Sequence, residues 1–444
     1  MVHPKKALVA AAALVGAATL VLAGCSSSST PTSSGSASST APAQADPAAA
    51  CKPGTVGTGP LTVATILPQT GSLAYLNPPA EAGYGLAVQD INAAGGVLSQ
   101  PIVVAPITDS GASSDLSIST ASAAQIASSD AQVVLGAESS SVTLNFVDTI
   151  TSKCKVQISP ANTATALSGY SSYYFRTAPP DTVQGSALGN LIVGDGVSNV
   201  AFIVFNDAYG TGLRDVAEKT ITDAGGKVVY GAKGQGQEFA PGQKTFSSEV
   251  SAAIAAKPDA IVILAFDETK QIVPELQAQG WDMSKVYMVD GNTADYSKDF
   301  AAGTLTNSQG TIPGAQPDPT FRQALIDFYK TSANADLKDF SYAPESYDAI
   351  VLAALAAEKG KGTDGPTIQA NLAAVSGDTN GEKCTDFAAC LALIKAGKDI
   401  SYVGKAGIGP FNDQNDPSSA YIGIYKYDAN NVPVFQKSVQ GSAE

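Results

Sequence analysis

The stretch Leu61-Thr62-Val63-Ala64-Thr65-Ile66-Leu67 is a short apolar run rich in β-branched residues, which is typical of a buried β-strand. Residues 80–92 then carry apolar side chains at helical spacing, and the pattern stops at Ala93-Ala94-Gly95-Gly96, where glycine favours the end of a helix. A strand followed by a helix is the first half of a βαβ unit, whose two strands are parallel. This stretch therefore predicts an α/β fold.

The same alternation continues outward along the chain in two series, which predicts two parallel sheets with helices on both faces. Ligands of such sheets bind at the carboxyl ends of the strands, so the loops there are the place to look for a site. The first series has predicted strands at 102–108, 133–135 and 156–158 and helices at 116–129 and 142–152. The second series has strands at 200–206, from 227, at 260–265 and at 286–289 and helices at 183–193, 211–224, 246–256 and 269–279. After these series come helices at 319–332, 342–359, 367–375 and 385–396 and a hairpin at 428–431.

The composition limits the chemistry that the chain can perform. Its 444 residues are 44% hydrophobic and 15% charged, enough for two domains with ordinary cores. The 26 Lys and Arg stand against 40 Asp and Glu, and an acidic surface repels phosphate backbones, so no nucleic-acid partner is expected. The single histidine, His3, lies in a segment that we expect to be removed. Histidine-dependent nucleophile systems and zinc sites are thereby excluded, and we expect no cofactor and no metal.

The N-terminus has the layout of a secretory signal. Two lysines precede an apolar run over residues 7–23, and Leu22-Ala23-Gly24-Cys25 matches the processing box of bacterial lipoproteins. We therefore predict a signal peptide over 1–24 and a lipidated Cys25 that anchors the protein to the outer face of the cytoplasmic membrane. The alternative is an uncleaved membrane helix. Residues 25–52 are mostly Ser, Thr, Pro and Ala, which predicts a flexible linker.

Four cysteines remain after Cys25, and an even number in an exported chain indicates two disulfides. Three pairings are possible. The short spacing of Cys384 and Cys390 favours a bridge between them, which leaves Cys51 and Cys154 to pair by elimination. Elimination is weak evidence, so the pairing stays open at this stage.

A series of short motifs occurs in order over about residues 60 to 436. They are Leu67-Pro68-Gln69-Thr70-Gly71, Pro78-Pro79-Ala80-Glu81-Ala82-Gly83, Ile91-Asn92-Ala93-Ala94-Gly95-Gly96-Val97-Leu98, Val134-Leu135-Gly136 through Ser141, Ile158-Ser159-Pro160-Ala161-Asn162-Thr163, Phe175-Arg176-Thr177, Tyr209-Gly210 and Tyr342-Ala343-Pro344-Glu345-Ser346-Tyr347-Asp348-Ala349. The series resembles type I periplasmic binding proteins, specifically the branched-chain amino-acid-binding (Leu/Ile/Val) group of ABC transporters.

The resemblance implies two Rossmann-like lobes joined by three crossovers, near Ala178, Gly310 and Phe411, that close on a ligand like a hinged trap. Lobe 1 is then expected over 53–178 and 312–410, and lobe 2 over 179–311 and 411–444.

The resemblance also implies how an amino acid is held at its two charged groups. Ser140 and Thr163 correspond to residues that bind the carboxylate, although a run of three serines before a helix is also typical of plain N-capping. The backbone carbonyl of Ala161 and the carboxylate of Asp290 correspond to the ammonium site. The family usually has glutamate at the latter position, so the shorter Asp290 implies a deeper ligand or a water-mediated contact; a solvated Asp-Gly turn is the alternative.

Five further positions are implied around the ligand. Tyr209 resembles a tyrosine of the second lobe that contacts the amino acid, or else an aromatic packed on its own lobe. Phe266 lies where a second tyrosine is expected. Tyr75, Glu138 and Tyr342 correspond to the wall around the ligand side chain, where an apolar residue in place of Glu138 would suit a branched-chain ligand. Glu138 therefore indicates a polar or basic ligand, unless it faces solvent at the mouth of the cleft.

Taken together, these features predict a substrate-binding protein of an ABC importer that captures an amino acid or similar small polar solute and delivers it to the permease, and not an enzyme. A ligand-sensing lipoprotein that works with a membrane receptor is the alternative. A hydrolase would have to rely on carboxylates such as Asp109, Asp267 and Asp290, without imidazole.

Overall fold

The computed structural model describes residues 45–54, 56–314 and 316–443, so the predicted signal peptide and Cys25 lie outside the described residues. The first sheet has five strands in the order β2-β1-β3-β4-β5, all parallel. The predicted strands of the first series are confirmed, and the last strand is one that the sequence pattern did not predict. The strands are β1 (Thr62–Leu67), β2 (Val103–Asp109), β3 (Val133–Gly136), β4 (Val156–Ser159) and β5 (Tyr174–Arg176).

The second sheet has seven strands and is mixed. The other strands of the chain are β6 (Asn199–Val204), β7 (Lys227–Tyr230), β8 (Ala260–Leu264), β9 (Val286–Met288), β10 (Gln309–Pro313), β11 (Glu382–Cys384), β12 (Ile400–Tyr402), β13 (Ser419–Tyr427) and β14 (Pro433–Ser442). The strand order in the second sheet is β14-β13-β10-β9-β8-β6-β7. The strands β10, β9, β8, β6 and β7 pair in parallel, whereas β13 pairs antiparallel with both β10 and β14. The expectation of a wholly parallel sheet is therefore wrong at this edge, because the C-terminal hairpin adds its strands there without a crossover helix.

The helices are α1 (Asn77–Ala93), α2 (Ser117–Ser128), α3 (Ser140–Thr151), α4 (Asp181–Gly194), α5 (Ala208–Asp223), α6 (Ser247–Ala255), α7 (Thr269–Ala278), α8 (Pro319–Ser332), α9 (Ala343–Gly360), α10 (Gly365–Ala373) and α11 (Phe387–Lys395). Helix α9 is buried along almost its whole length and packs on α1 in the core of the first sheet. A Cβ atom at Gly83 would lie 2.2 Å from the carbonyl oxygen of Ala343, so only glycine permits this close approach of α1 and α9.

The first sheet and helices α8–α11 share one hydrophobic core, and the second sheet with α4–α7 has another. We call these two bodies the first and second lobes. Strand β10 runs to Pro313 in the second sheet, so this segment of the second lobe extends past residue 311. Leu73 and Leu76, which follow β1 of the first lobe, are buried in the core of the second. The lobes are therefore in contact, which is the closed arrangement.

A buried ion pair joins the end of β5 to the segment that precedes β13. The Arg176 guanidinium, at the end of β5, donates from Nε to Asp416 Oδ1 at 2.6 Å and from a terminal nitrogen to Oδ2 at 2.9 Å. Both side chains are almost inaccessible to solvent. The arginine also donates to the carbonyl oxygen of Ala164 at 2.8 Å and to Ser168 Oγ at 2.6 Å, so every charge in the pair is hydrogen-bonded.

Both predicted disulfides are present, which resolves the pairing. Cys51 is bonded to Cys154 across a sequence separation of 103 residues, and Cys384 is bonded to Cys390 across 6. The first bridge fixes the end of the predicted linker to the first lobe. Among the described residues, no helix combines the length and the apolar character needed to span a bilayer.

Candidate functional site

The site begins at the carboxyl end of β3. Gly136 has φ +114°, and a Cβ atom there would lie 2.2 Å from the carbonyl oxygen of Ile66 on the neighbouring strand. The chain can turn at this point only because the residue is glycine. The loop that follows is held by two polar side chains from the next strand and its loop: Ser159 Oγ donates to the carbonyl of Ala137 at 2.6 Å, and Asn162 Nδ2 donates to that of Glu138 at 2.8 Å.

Ser140 is the first residue of α3 and is oriented by the loop after β4. Its Oγ accepts hydrogen bonds from the backbone N–H groups of Thr163 at 3.3 Å and Ala164 at 3.2 Å, so its own hydroxyl hydrogen is free to donate. Ser139, the N-cap residue, accepts no hydrogen bond from the backbone N–H groups of the helix, and its hydroxyl instead lies 3.4 Å from that of Ser141, so the plain capping interpretation does not hold for it. The first N–H groups of a helix lack intrahelical acceptors and favour an anion.

Asp290 follows β9 and lies opposite Ser140. Its Oδ1 accepts from Tyr209 Oη at 2.6 Å and from Gln184 Nε2 at 2.9 Å, whereas its Oδ2 accepts only from Tyr342 Oη at 2.6 Å. Burial raises the pKa of Asp290, and these three hydrogen bonds oppose that effect. A carboxylate oxygen can accept two hydrogen bonds, so Oδ2 has capacity for one more donor. These three contacts do not favour the solvated-turn alternative for this residue.

Tyr209 and Phe266 form an aromatic wall of the second lobe. Their rings are stacked with centroids 5.7 Å apart and planes 8° from parallel. Tyr209 is the second residue of α5, which Asp207 caps by accepting from the Tyr209 backbone N–H at 3.0 Å. Tyr209 is therefore packed on its own lobe and at the same time directs its hydroxyl to Asp290.

Three side chains hydrogen-bond across the cleft. Tyr342 Oη, from the first lobe, donates to Asp290, and Tyr75 Oη lies 3.4 Å from the carbonyl oxygens of both Asp290 and Gly291. The hydroxyl of Ser141 donates to the carboxylate of Asp207. Tyr342 has φ 60°, a left-handed conformation that is strained for a tyrosine by about 1 kcal/mol or more. Strained residues are concentrated at ligand sites, which agrees with its position.

Glu138, like Asp181 at the start of α4, is a buried acid without a hydrogen-bond partner among the described residues. It is 3% exposed, and among the described residues neither carboxylate oxygen has a hydrogen-bond partner. Burial, followed by the nearby charge of Asp339, raises the pKa of Glu138 from 4.5 to about 8. The interpretation that this side chain faces solvent is therefore wrong, because the loop after β3 turns it inward.

These residues surround one small cavity. Its volume is about 20 Å³, measured as the space open to the centre of a water molecule, so the closed cleft has room for little more than one water. Its lining contains Ser140, Ala161, Thr163, Glu138, Tyr209, Phe266, Asp290 and Tyr342, together with Leu73, Leu76, Ser139 and Gly291. Tyr75 lines an adjoining cavity of about 210 Å³ that shares Phe266 and Gly291 with the first.

Comparison with known proteins shows the family of the chain. The sequence model of the periplasmic binding protein family matches residues 60–389, which is more than half of the chain. The chain belongs to the periplasmic binding protein family. Like other periplasmic binding proteins, it is a solute-binding protein of the extracytoplasmic space rather than an enzyme.

The alignments with individual relatives cover most of this periplasmic binding protein. The Leu/Ile/Val-binding protein homolog 3 of Brucella melitensis biotype 1 is 23% identical over 370 residues, which are 83% of this chain and 91% of that protein. The fold is similar to that of the leucine-binding protein LivK from Thermotoga maritima MSB8, with TM-score 0.69, 18% identity and coverage of 85% of this chain and 98% of that one. LivJ from Streptococcus pneumoniae, solved in complex with isoleucine, gives TM-score 0.67 and 19% identity over 86% of this chain and 100% of that one.

Four polar residues near the site were not predicted from the sequence. They are Asp181, Gln184, Asp207 and Asp339. Gln184 lies on α4 and bridges Asp290 to Thr311, whose Oγ1 it reaches at 3.0 Å. Asp207 could have been identified, because Asp directly after a strand and before a helix is a cap signal.

Within the described ranges, no group of three or more His, Cys, Asp or Glu residues is arranged to hold a metal ion.

Proposed function

We propose that this periplasmic binding protein captures an α-amino acid between Ser140 and Asp290. The observation that carries the proposal is the pairing of opposite chemistries across one cavity. On one side are a serine hydroxyl that is free to donate and the N-terminus of α3, which suit a carboxylate. On the other is Asp290 Oδ2, with one acceptor position left, which suits an ammonium. The carboxylate of an α-amino acid suits the first side of the cavity, and its ammonium suits the second.

Binding and closure are coupled in this proposal. Ser140 belongs to the first lobe and Asp290 to the second, so a ligand that contacts both stabilises the closed state by its contacts with the two lobes together. The hydrogen bonds of Tyr75 and Tyr342 to the Asp290–Gly291 turn then form only when the lobes meet. The names of the relatives, which include Leu/Ile/Val-binding proteins, support an amino-acid ligand.

The proposal extends to location and partner. The predicted lipidation of Cys25 would anchor the protein to the outer face of the cytoplasmic membrane, and the captured amino acid would pass to an ABC permease. Substitution Cys25→Ala is expected to release the protein from the membrane fraction. Deletion of the gene is expected to abolish uptake of the labelled ligand. Uptake that persists in the deletion strain would contradict the transport role.

The clamp is tested by isothermal titration of the purified protein with the twenty common amino acids. Ser140→Ala and Asp290→Asn are each expected to weaken binding at least tenfold, because each removes a hydrogen bond to a charged group worth about 1.5–3 kcal/mol. Matched substitutions at exposed positions, Ser128→Ala and Asp378→Asn, should leave affinity unchanged. The proposal fails if no amino acid binds, or if both site variants bind like wild type.

A further inference from the structure

We propose that the ligand of this periplasmic binding protein is an amino acid with a cationic side chain, selected by Glu138. This inference rests on the proposed amino-acid function and names the class of substrate. Two independent observations carry it: a buried carboxyl group without a partner inside the ligand cavity, and an acidic cavity that continues outward from it.

The first observation is the isolation of Glu138. A buried polar group without a hydrogen bond is rare in folded proteins and destabilises the fold. Asn162 donates to the backbone carbonyl of Glu138, which fixes the position of the residue. The carboxyl group of Glu138 lines the same cavity as Ser140 and Asp290 and has no described protein donor within reach. The missing partner is therefore supplied by the ligand. A branched-chain side chain offers no donor and would leave both oxygens unpaired.

The second observation is the charge of the adjoining cavity. Four carboxylates and one lysine line it: Asp267, Asp295, Asp299, Asp339 and Lys270. The Lys270 ammonium lies 3.4 Å from Asp267 and 3.3 Å from Asp299, so those two charges are partly balanced. Among the described residues, neither Asp295 nor Asp339 takes part in an ion pair, although Asp339 also borders a separate cavity lined by Arg322 and Lys338.

The two cavities define a direction for the ligand. They share Phe266 and Gly291, and Glu138 in the inner cavity is close enough to Asp339 of the outer one to be affected by its charge. The closed cleft has no room for an amino acid, so the lobes must lie further apart around the ligand than they do here. When the carboxylate and ammonium of the ligand are held by Ser140 and Asp290, a long side chain would run past Glu138 toward the acidic cavity. A terminal ammonium or guanidinium group there meets Asp295 and Asp339, each of which accepts one backbone N–H group but has no cationic partner among the described residues. Lysine, ornithine and arginine have this chemistry.

The test measures binding of lysine, arginine, ornithine, glutamine, leucine and norleucine to the wild-type protein and to Glu138→Leu and Glu138→Gln. Norleucine matches the lysine side chain in shape without the ammonium. We expect a basic amino acid to bind at least tenfold more tightly than norleucine, glutamine or leucine, and Glu138→Leu to reverse that order. Asp339→Asn is expected to weaken the basic ligand by a smaller factor, and Asp378→Asn, at an exposed position, to have no effect.

The outcomes separate this inference from the function on which it rests. If leucine or glutamine binds wild type most tightly and Ser140→Ala abolishes that binding, the cationic assignment is wrong and the amino-acid clamp stands. The assignment is also overturned if Glu138→Leu and Glu138→Gln leave the preference for basic ligands unchanged. If no amino acid binds the wild-type protein, the proposed function itself fails. Both Glu138 substitutions remove a buried acid, so neither is expected to prevent folding.

Discussion

Replacing Glu138 by glutamine should stabilise the ligand-free protein, and the gain should increase with pH. The pKa of Glu138 is raised from 4.5 to about 8 by burial and by Asp339. Between these pH values the folded protein keeps the proton while the unfolded chain has lost it, so the free energy of unfolding falls as pH rises. The fall begins near pH 4.5 and ends near pH 8. Glutamine at this position cannot titrate and removes that dependence.

The magnitude follows from the size of the shift. Each pKa unit corresponds to about 1.4 kcal/mol, so the interval from 4.5 to pH 7 corresponds to about 3 kcal/mol, and the full shift to about 5 kcal/mol at pH 8 and above. The difference between Glu138→Gln and wild type should therefore grow by about 4 kcal/mol from pH 5 to pH 8. Other buried acids with raised pKa values, such as Asp181 and Glu345, affect both proteins equally and cancel.

Urea denaturation of the two ligand-free proteins at pH 5, 6, 7 and 8 measures this difference. Glu382→Gln is the matched control, because Glu382 is exposed in a surface ion pair with Lys398 and its loss should change stability by less than about 1 kcal/mol. If the stabilities of wild type and Glu138→Gln run parallel between pH 5 and pH 8, Glu138 is not buried as a neutral acid. The reasoning on its role would then be refuted.

Four further variants test the fold. Removing the Cys51–Cys154 bridge should destabilise the protein by about 5 kcal/mol and removing the Cys384–Cys390 bridge by about 2 kcal/mol, because the first bridge closes a much longer loop. Equal losses of stability in calorimetry would contradict this expectation. Arg176→Met leaves the Asp416 carboxylate buried without its cation and should lower the free energy of unfolding by about 3–5 kcal/mol in urea, whereas an effect below about 1 kcal/mol would show the pair to be solvated. Gly83→Ala should lower the melting temperature by several degrees through overpacking of α1 on α9, which differential scanning fluorimetry measures; an unchanged value would mean that the helices separate freely.

Much of the architecture could be read from local patterns. The central strands β3, β4, β8 and β9 appear as apolar runs because they are buried on both faces, and the helices between the strands appear as apolar residues at helical spacing. The proximity of Ser140 and Thr163 was also predictable, because they follow neighbouring parallel strands whose carboxyl ends meet at one edge of the sheet. Asp290 follows a strand of the other sheet, and only the family resemblance implied its place in the same site. The short strands β5, β10, β11 and β12 were missed, since three to five residues carry too little periodicity.

The remaining features depend on contacts between residues far apart in the chain. Arg176 and Asp416 are 240 residues apart, and Ser141 meets Asp207 only when the two lobes come together. The protonation of Glu138 also depends on residues that are far apart in the chain. A glutamate side chain has one intrinsic pKa, and it is the exclusion of water by both lobes and the charge of Asp339 that change it. Periodicity reports which face of an element is buried, whereas burial of a single charge depends on everything that packs around it.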